Sequence, residues 1–338
     1  MLPSSSYTLP DARIAVLLNA NAGQVSPSLA AELAAIVPKD RIFLTQSALH
    51  SRDILRRCVA DEISTVFAGG GDGTIVGVIN DLNECHQQHA PSLPNVGVLR
   101  LGTGNALARW LGSGRPAADL RRWQGGQIHR VVPLDMVSSE ETIFPFAGMG
   151  HDAALLNDYN RLKSIARGKW WASMASGISG YVLTGALTTL PRLLRAPPTR
   201  IQVINTGSPA YRCGSDGREI GEPVPTGGLL YEGPSTFIGT ATTPLYGYGM
   251  RMFPHATRRA GRFQLRIADL SPIEIAVNLP ATWRGTIRHP KVHDFYADRV
   301  RVRAEDAMPY QLAGEACGYR QEMTFTTTRA PIKLIAQG

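Results

Sequence analysis

The sequence predicts two domains, a parallel, doubly wound α/β domain over residues 11–130 and a β-rich, sandwich-like domain over 131–317. Three observations carry this. Apolar strand-like runs alternate with helix-like segments from Arg13 to Arg130. Two of those runs break at glycine-rich turns directly before a helix. After Arg130 the texture changes to short β-branched and aromatic runs divided by Gly and Pro turns. A chain of 338 residues exceeds one typical domain, and a hydrophobic fraction of 43% can fill two cores.

In chain order, Arg13–Asn19 is a continuous apolar run, as in a strand buried on both faces. It ends at the turn Asn19–Gly23. Ser28–Ile36 is Ala-rich and helical, stopping before Pro38; Arg41–Thr45 is a short strand, and Ser51–Ala60 a helix opened by Ser51 and Asp53. The run Thr65–Phe67 stops at Gly69, Gly70 and Gly71, followed by Asp72, Gly73, Thr74 and an apolar segment with helical spacing. A polar loop, Asn83–Pro94, leads to a strand from Val96, which breaks at Gly102-Thr103-Gly104-Asn105 before another helix. The turns at Asn19–Gly23, Thr45, Gly69–Thr74 and Gly102–Asn105 all fall at strand carboxyl ends, where open α/β sheets bind ligands.

Beyond Arg130, strands are expected at Val131–Val137, Thr142–Ala147, Thr199–Asn205, Thr236–Thr240, Arg262–Ile267, Ile273–Asn278 and Arg299–Arg303. Helix is confined to Ala153–Leu162 and the stretch near 170–195, and Cys213–Pro234 reads as a hairpin or loop.

Strand, glycine turn, helix is an arrangement that aims backbone N–H groups and a positive helix end at an anion. Glycine lets a phosphate approach the backbone, and such turns often need φ > 0. Neither G-x-x-x-x-G-K-[ST] nor G-x-G-x-x-G is present. A carboxylate in the loop, Asp72, repels phosphate unless a metal ion or a reacting hydroxyl lies between them, which points to phosphoryl transfer. The plain structural role for Asp72 is to cap the helix that follows it. Thr74 and Thr103 are candidate hydroxyl donors to phosphate or helix caps; Asn19 and Gly23 cradle phosphate or ribose, or simply turn the chain.

Taken together, the motifs resemble the diacylglycerol kinase catalytic family, the lipid kinases that include sphingosine and ceramide kinases. Gly70-Gly71-Asp72-Gly73-Thr74 matches its GGDGT loop. Gly102, Thr103, Asn105, Ala108 and Arg109 match its second loop, with Arg100 where the family has proline. Asn19-Ala20-Asn21-Ala22-Gly23 is similar to its NPxSG element without the proline, Thr45 and His50 fit a T-x4-H pattern, and Ala313-Gly314-Glu315 stands where the family has DGE. Gly148, Gly150, Asp152 and Ala153 resemble a G-x-G-x-D-A segment, in which Asp152 is expected to cap a helix.

The resemblance implies an ATP-dependent lipid kinase whose β-rich second domain is followed by a tail, about 318–338, that packs back on the first. It implies ATP held by Asn19, Gly23, Thr45, Gly69–Thr74, Gly102, Thr103 and Asn105, with Asp72 organising the Mg²⁺ that arrives with ATP. It implies Glu315 as general base toward a lipid hydroxyl in a cleft between domains. Such a base needs burial or a neighbouring acid to raise its pKa, and Ala313 removes one neighbour. The family's D-D-G segment, which helps hold a structural Mg²⁺ in bacterial members, aligns with Arg258-Arg259-Ala260-Gly261, so that site is expected to be absent. Two alternatives stay open, a catalytically impaired lipid- or nucleotide-binding protein and a soluble-substrate kinase of the NAD kinase type.

Lys and Arg outnumber Asp and Glu by 35 to 27, a net charge of +8 that suits ATP and an anionic membrane surface. Zinc-finger and RRM motifs are absent, so nucleic acid is not an expected partner. The four cysteines lack metal spacing and residues 1–10 lack a signal peptide's pattern, so a reduced cytoplasmic protein is expected. It would sit peripherally on the inner face of the membrane, with a homodimer left open. Trp170–Leu190 is uncharged, opens with two tryptophans and has basic flanks. Six Ser/Thr residues and three glycines make it too polar to span; it reads as an interfacial helix or one beside the acyl-chain cleft.

Overall fold

The computed structural model describes residues 13–88, 92–102, 104–127, 130–166, 180, 184–189, 191 and 198–337. The chain forms two compact units, residues 1–135 with 329–338, and residues 136–328. These divisions fall at 135/136 and 328/329, against 130/131 and 317/318 in the sequence reading.

The first unit alternates strand and helix: β1 (Ile14–Asn19), α1 (Pro27–Ala34), β2 (Ile42–Thr45), α2 (Ala48–Ala60), β3 (Thr65–Gly70), α3 (Asp72–Gln87) and β4 (Asn95–Arg100). Two helices close it, α4 (Ala106–Trp110) and α5 (Pro116–Gln124). The strand order is β2-β1-β3-β4, all parallel, and Leu334 and Ile335 near the chain's end add a further parallel strand beside β4. This is the doubly wound α/β sheet that the alternating pattern predicts. The burial explains the unbroken apolar runs: Ala15–Leu18 and Thr65–Ala68 are covered on both faces.

Side chains from the sheet and the flanking helices form one cluster that includes Leu18, Leu33, Phe67, Leu99, Leu101 and Trp123. Phe67 meets Trp123 edge to face, with ring centroids 5.6 Å apart. Ser47, four residues before Ser51, caps α2 by accepting from His50 N, so that helix opens earlier than Ser51 and Asp53 suggest. His50 of the T-x4-H pattern thus sits in the first turn of α2.

The second unit is β-rich and antiparallel. β5 (Arg130–Ser139) enters it and pairs with β6 (Thr142–Phe144); then come β7 (Phe146–Gly150), α6 (His151–Ala166), β8 (Thr199–Asn205) and β9 (Tyr211–Cys213). β10 (Leu229–Ser235), β11 (Phe237–Ala241), β12 (Phe263–Ala268), α7 (Pro272–Arg284), β13 (Val292–Ala297) and β14 (Arg299–Leu312) follow. β15 (Glu315–Ala336) runs on into the first unit. β14 makes the sandwich's corner. Its first half pairs with β8 and its last residues with β7, while its pairing with β15 shifts register between Arg303 and Met308 and between Pro309 and Gln311.

One expected strand is not a strand. Ile273–Asn278 lies inside the helix α7, opened by a complete capping box between Ser271 and Glu274 with Pro272 in its first turn. The alternation in Ile273-Glu274-Ile275 mimics a strand, but the local capping chemistry decides. Trp170–Leu190 lies outside the described residues except for Gly180 and 184–189, where Gly185–Thr189 forms a π-type turn and Thr189 donates to Asp158. No helix among the described residues is long and apolar enough to cross a membrane.

Candidate active site

In the strand order β2-β1-β3-β4 the winding direction reverses between β1 and β3, and the loops after these strands open at the sheet's switch point. The strand–helix junction there is shorter than the sequence suggests. Gly69 and Gly70 belong to β3, Asp72 is already the first residue of α3, and only Gly71 lies between. Gly71 sits at the N-cap position with φ −84° and ψ 178°, and no side chain caps the helix. The first-turn N–H groups of a sixteen-residue helix are therefore left without a side-chain acceptor at the carboxyl ends of the strands.

None of the glycines at 69–71, 73, 102 or 104 has positive φ. They are needed for close approach instead. A β-carbon on Gly69 would come within 2.7 Å of Leu18 and 2.8 Å of Leu101. On Gly70 it would strike the Thr74 side chain at 2.5 Å, and on Gly102 the Cα of Gly71 at 2.3 Å. Gly71 itself has its nearest neighbour at 3.9 Å, and Gly23 has nothing within 4 Å, so both leave open space beside the backbone. The left-handed residue in the second loop is Asn105, at φ 51° and ψ 43°. Its side-chain oxygen accepts from Gly102 N at 3.0 Å while its amide donates to Gly102 O, closing the turn on itself. Thr103 lies outside the described residues.

Asp72 caps a helix, but not its own. Its Oδ2 accepts from Ala106 N at 3.1 Å and its Oδ1 from Leu107 N at 3.3 Å, the opening residues of α4. The carboxylate thus ties the first glycine loop to the second. Burial pushes its pKa up, opposed by the hydrogen bonds from residues 105–107 and by the charge of Arg109. Gly104 is part of this arrangement, because a β-carbon there would lie 2.7 Å from Asp72 Oδ2.

Asn19 at the end of β1 donates to Thr74 Oγ1 at 2.9 Å and accepts from Asn21 N at 2.9 Å. Accepting from Asn19 leaves the Thr74 hydroxyl its own proton to donate elsewhere. Thr45 is buried and donates to Leu18 O at 3.3 Å, which ties β2 to β1. Gln24, which the motif reading passed over, reaches Gly102 O at 3.4 Å. The structure therefore brings together Asn19, Gly70–Thr74, Gly102 and Asn105 at one end of the sheet, with Gly104 and Gln24 as additions.

Glu315 belongs to the second unit. It opens β15 opposite Leu312, after the two-residue turn Ala313-Gly314 with φ of 46° and 86°. Both values are positive, as in the tight hairpin turns that favour Asn or Asp followed by Gly. The Asp that the family places at this position therefore has a backbone reason to be there, and Ala313 holds the same conformation without that preference. Glu315 is exposed, so neither burial nor a preceding acid surrounds it.

A desolvated carboxylate of this unit is Asp152, in the first turn of α6. Its Oδ2 accepts from Tyr246 and, at 3.3 Å, from Gln311 Nε2, and burial pushes its pKa up. Gln311 Oε1 in turn accepts from Gly314 N at 2.8 Å, connecting Asp152 to the turn that carries Glu315. Gly148 makes room for it: a β-carbon there would lie 2.3 Å from Asp152 Oδ2. Tyr246 and Gln311 carry no linear signal and emerge only in three dimensions. In the stretch Arg258–Gly261, Arg259 pairs with Glu219 and lies 3.7 Å from the centre of the Tyr211 ring.

Residues 13–136 match the model of the diacylglycerol kinase catalytic domain, and residues 210–334 that of the YegS C-terminal NAD kinase β-sandwich-like domain. Residues 13–136 are thus a diacylglycerol kinase catalytic domain, and the chain is a kinase similar to lipid kinases. Curated relatives include proteins named "Probable lipid kinase YegS" from Escherichia coli O1:K1 and from Shigella flexneri. Each is 24% identical over 255 residues, covering 75% of this chain and 72% of the relative. A crystal structure of a diacylglycerol kinase from Bacillus anthracis str. Sterne superimposes with a TM-score of 0.60, covering 96% of this chain and 97% of that one. At 14% identity that likeness speaks for the fold.

Among the described residues, no group of three or more His, Cys, Asp or Glu side chains could hold a metal ion. Asp72 is the carboxylate of the two glycine loops.

Proposed function

We propose that this kinase transfers the γ-phosphoryl group of MgATP to the hydroxyl of a lipid such as diacylglycerol, ceramide or a sphingoid base. The observation that carries the nucleotide half is the bare N-terminus of α3 at the switch point, flanked by the open sides of Gly71 and Gly23. The phosphates lie against the first-turn N–H groups, the Thr74 hydroxyl donates to them, and Asp72 meets the Mg²⁺ of MgATP through its water shell. Fixed N–H groups stabilise the charge that develops on the transferred group at no reorganisation cost.

Glu315 takes the proton from the lipid hydroxyl as that oxygen attacks phosphorus and ADP leaves with the electron pair. Glu315 is exposed, so the lipid itself supplies the desolvation that makes it a competent base. The enzyme works peripherally at the cytoplasmic face of a membrane, where ATP and lipid meet.

The deciding experiment incubates the protein with γ-labelled MgATP and a total-lipid extract and separates products by thin-layer chromatography. Label in a chloroform-soluble phospholipid is expected. Label confined to a water-soluble acceptor would favour the NAD kinase type of substrate. A second reading is favoured by Ala313, which replaces the acid before Gly314: a nucleotide- and lipid-binding protein with impaired transfer. MgATP binding with no labelled product across an acceptor panel would establish it.

A further inference from the structure

We infer that α7, Pro272–Arg284, is a membrane-docking helix that lays its apolar face on an anionic lipid bilayer. The helix is amphipathic the wrong way round for a soluble protein. Its polar side chains Glu274, Asn278 and Thr282 are half-buried, on the side turned toward the protein. Its apolar residues Ile273, Ala276, Val277, Leu279, Pro280 and Trp283 are exposed, Ile275 and Ala281 alone share the half-buried inner side with the polar residues and Pro272, and no residue of the helix is fully buried. Ile273 is 66% exposed and Val277 75%. At 100° per residue these six positions form one continuous arc, which in a helix serving only the fold would face the core.

The polar face is held in place. Lys291 Nζ lies 3.0 Å from Glu274 Oε1, His289 lies 3.7 Å from it, and Arg251 N donates to Trp283 O at 3.0 Å. The helix therefore does not have to rotate to present its apolar side; it already does so.

Charge selects the occupant. Arg284 ends the helix, Arg251 packs against its C-terminal turn and Arg288 follows three residues after the C-cap. All three are exposed and none has an acidic partner among the described residues. The helix carries one acid, Glu274, already engaged by Lys291 on the inner side. A second copy of this chain docking face to face would bring arginines to arginines with no acid to meet them. Lipid phosphates meet them directly, with the Ile273–Val277 side in the acyl boundary and Trp283 at headgroup depth. α7 is too short to cross a bilayer, so it lies in the interface. The inference deepens the lipid-kinase reading, which supplies the reason for a membrane, but its geometry stands on α7 alone.

The test floats the full chain with vesicles of phosphatidylcholine, with and without phosphatidylglycerol. Wild type is expected to bind the anionic vesicles. Ile273→Asn/Val277→Asn is expected to weaken that binding about tenfold or more, and Arg251→Gln/Arg284→Gln/Arg288→Gln to remove the preference for phosphatidylglycerol. All these side chains are exposed, so the variants keep the wild-type melting temperature, and both should phosphorylate a short-chain, monomeric lipid as wild type does. Failure of wild type to bind either vesicle, or undiminished binding by the Asn variant, overturns the inference. So does a wild-type dimer that becomes monomeric in the Asn variant while vesicle binding stays unchanged, since the face would then belong to a second copy. If the Asn variant loses vesicle binding but no form phosphorylates any lipid, α7 remains a docking helix and the kinase reading falls instead.

Discussion

Replacing Gly102 by Ala probes the contact between the two glycine loops. The new β-carbon would lie 2.3 Å from Gly71 Cα, 2.9 Å from Gly71 N and 3.0 Å from Gly70 O. Carbons in contact prefer about 3.5–4.0 Å, so the two backbones must part by more than about 1 Å. Overpacking costs typically about 1–3 kcal/mol, and the upper end applies because every obstacle is main chain and cannot rotate away. For a domain of this size each kcal/mol moves the melting temperature by about 2–4 °C, so a fall of roughly 6–12 °C is expected.

Gly71→Ala, one loop away, is the control. Its nearest neighbour is at 3.9 Å and its φ of −84° suits alanine, so stability should stay within about 0.5 kcal/mol of wild type. Its methyl group enters the space assigned to phosphate, and MgATP affinity should drop about tenfold or more, a loss of about 1.4 kcal/mol. Differential scanning fluorimetry with and without MgATP reads both effects. A Gly102→Ala protein that melts with the wild type would refute the reasoning about loop contact, and a Gly71→Ala protein with full affinity would refute the phosphate assignment.

Two further expectations concern the second unit. Asp294→Ala strands the Arg266 guanidinium, which pairs with that carboxylate at 2.8 Å with both side chains almost wholly buried; about 3–5 kcal/mol should be lost in chemical denaturation, and Arg266→Met/Asp294→Leu should recover part of it. Asp152 holds its proton to higher pH in the folded protein than in the unfolded chain, because burial raises its pKa above 3.8. The native state's advantage from this group therefore falls as pH rises from about 4 through the raised value, and Asp152→Asn should lack that slope in denaturation midpoints taken at stepped pH. A wild type that gains on the variant as pH rises would contradict the sign.

Much of the first unit is legible because its strands are buried on both faces, so the apolar runs at Ile14–Leu18 and Val66–Ala68 have no competing explanation. The glycine turns themselves are legible in the sequence, but positive φ is not the reason for them. They admit Leu18, Thr74 and a neighbouring backbone, and such contacts between distant segments leave no local mark. Asp72 shows the same limit. A carboxylate beside a helix start reads as that helix's cap, while its actual partners lie 34 and 35 residues away. Ile273–Asn278 misled for a different reason. Periodicity arguments assume that apolar residues face the core, and α7 turns them to solvent; the Ser271–Glu274 capping box was the better signal. Ala313 shows how one position can be read in two ways, as a lost acid beside Glu315 or as the left-handed first residue of a tight turn.

The most direct measurement separates nucleotide binding from transfer in Glu315→Gln. Glu315 is exposed, so the substitution should leave the fold intact, and MgATP affinity by titration calorimetry should match wild type. Label transfer to lipid should fall by about 10²–10⁴-fold, the usual contribution of a general base. Equal transfer rates in the two proteins would contradict the account.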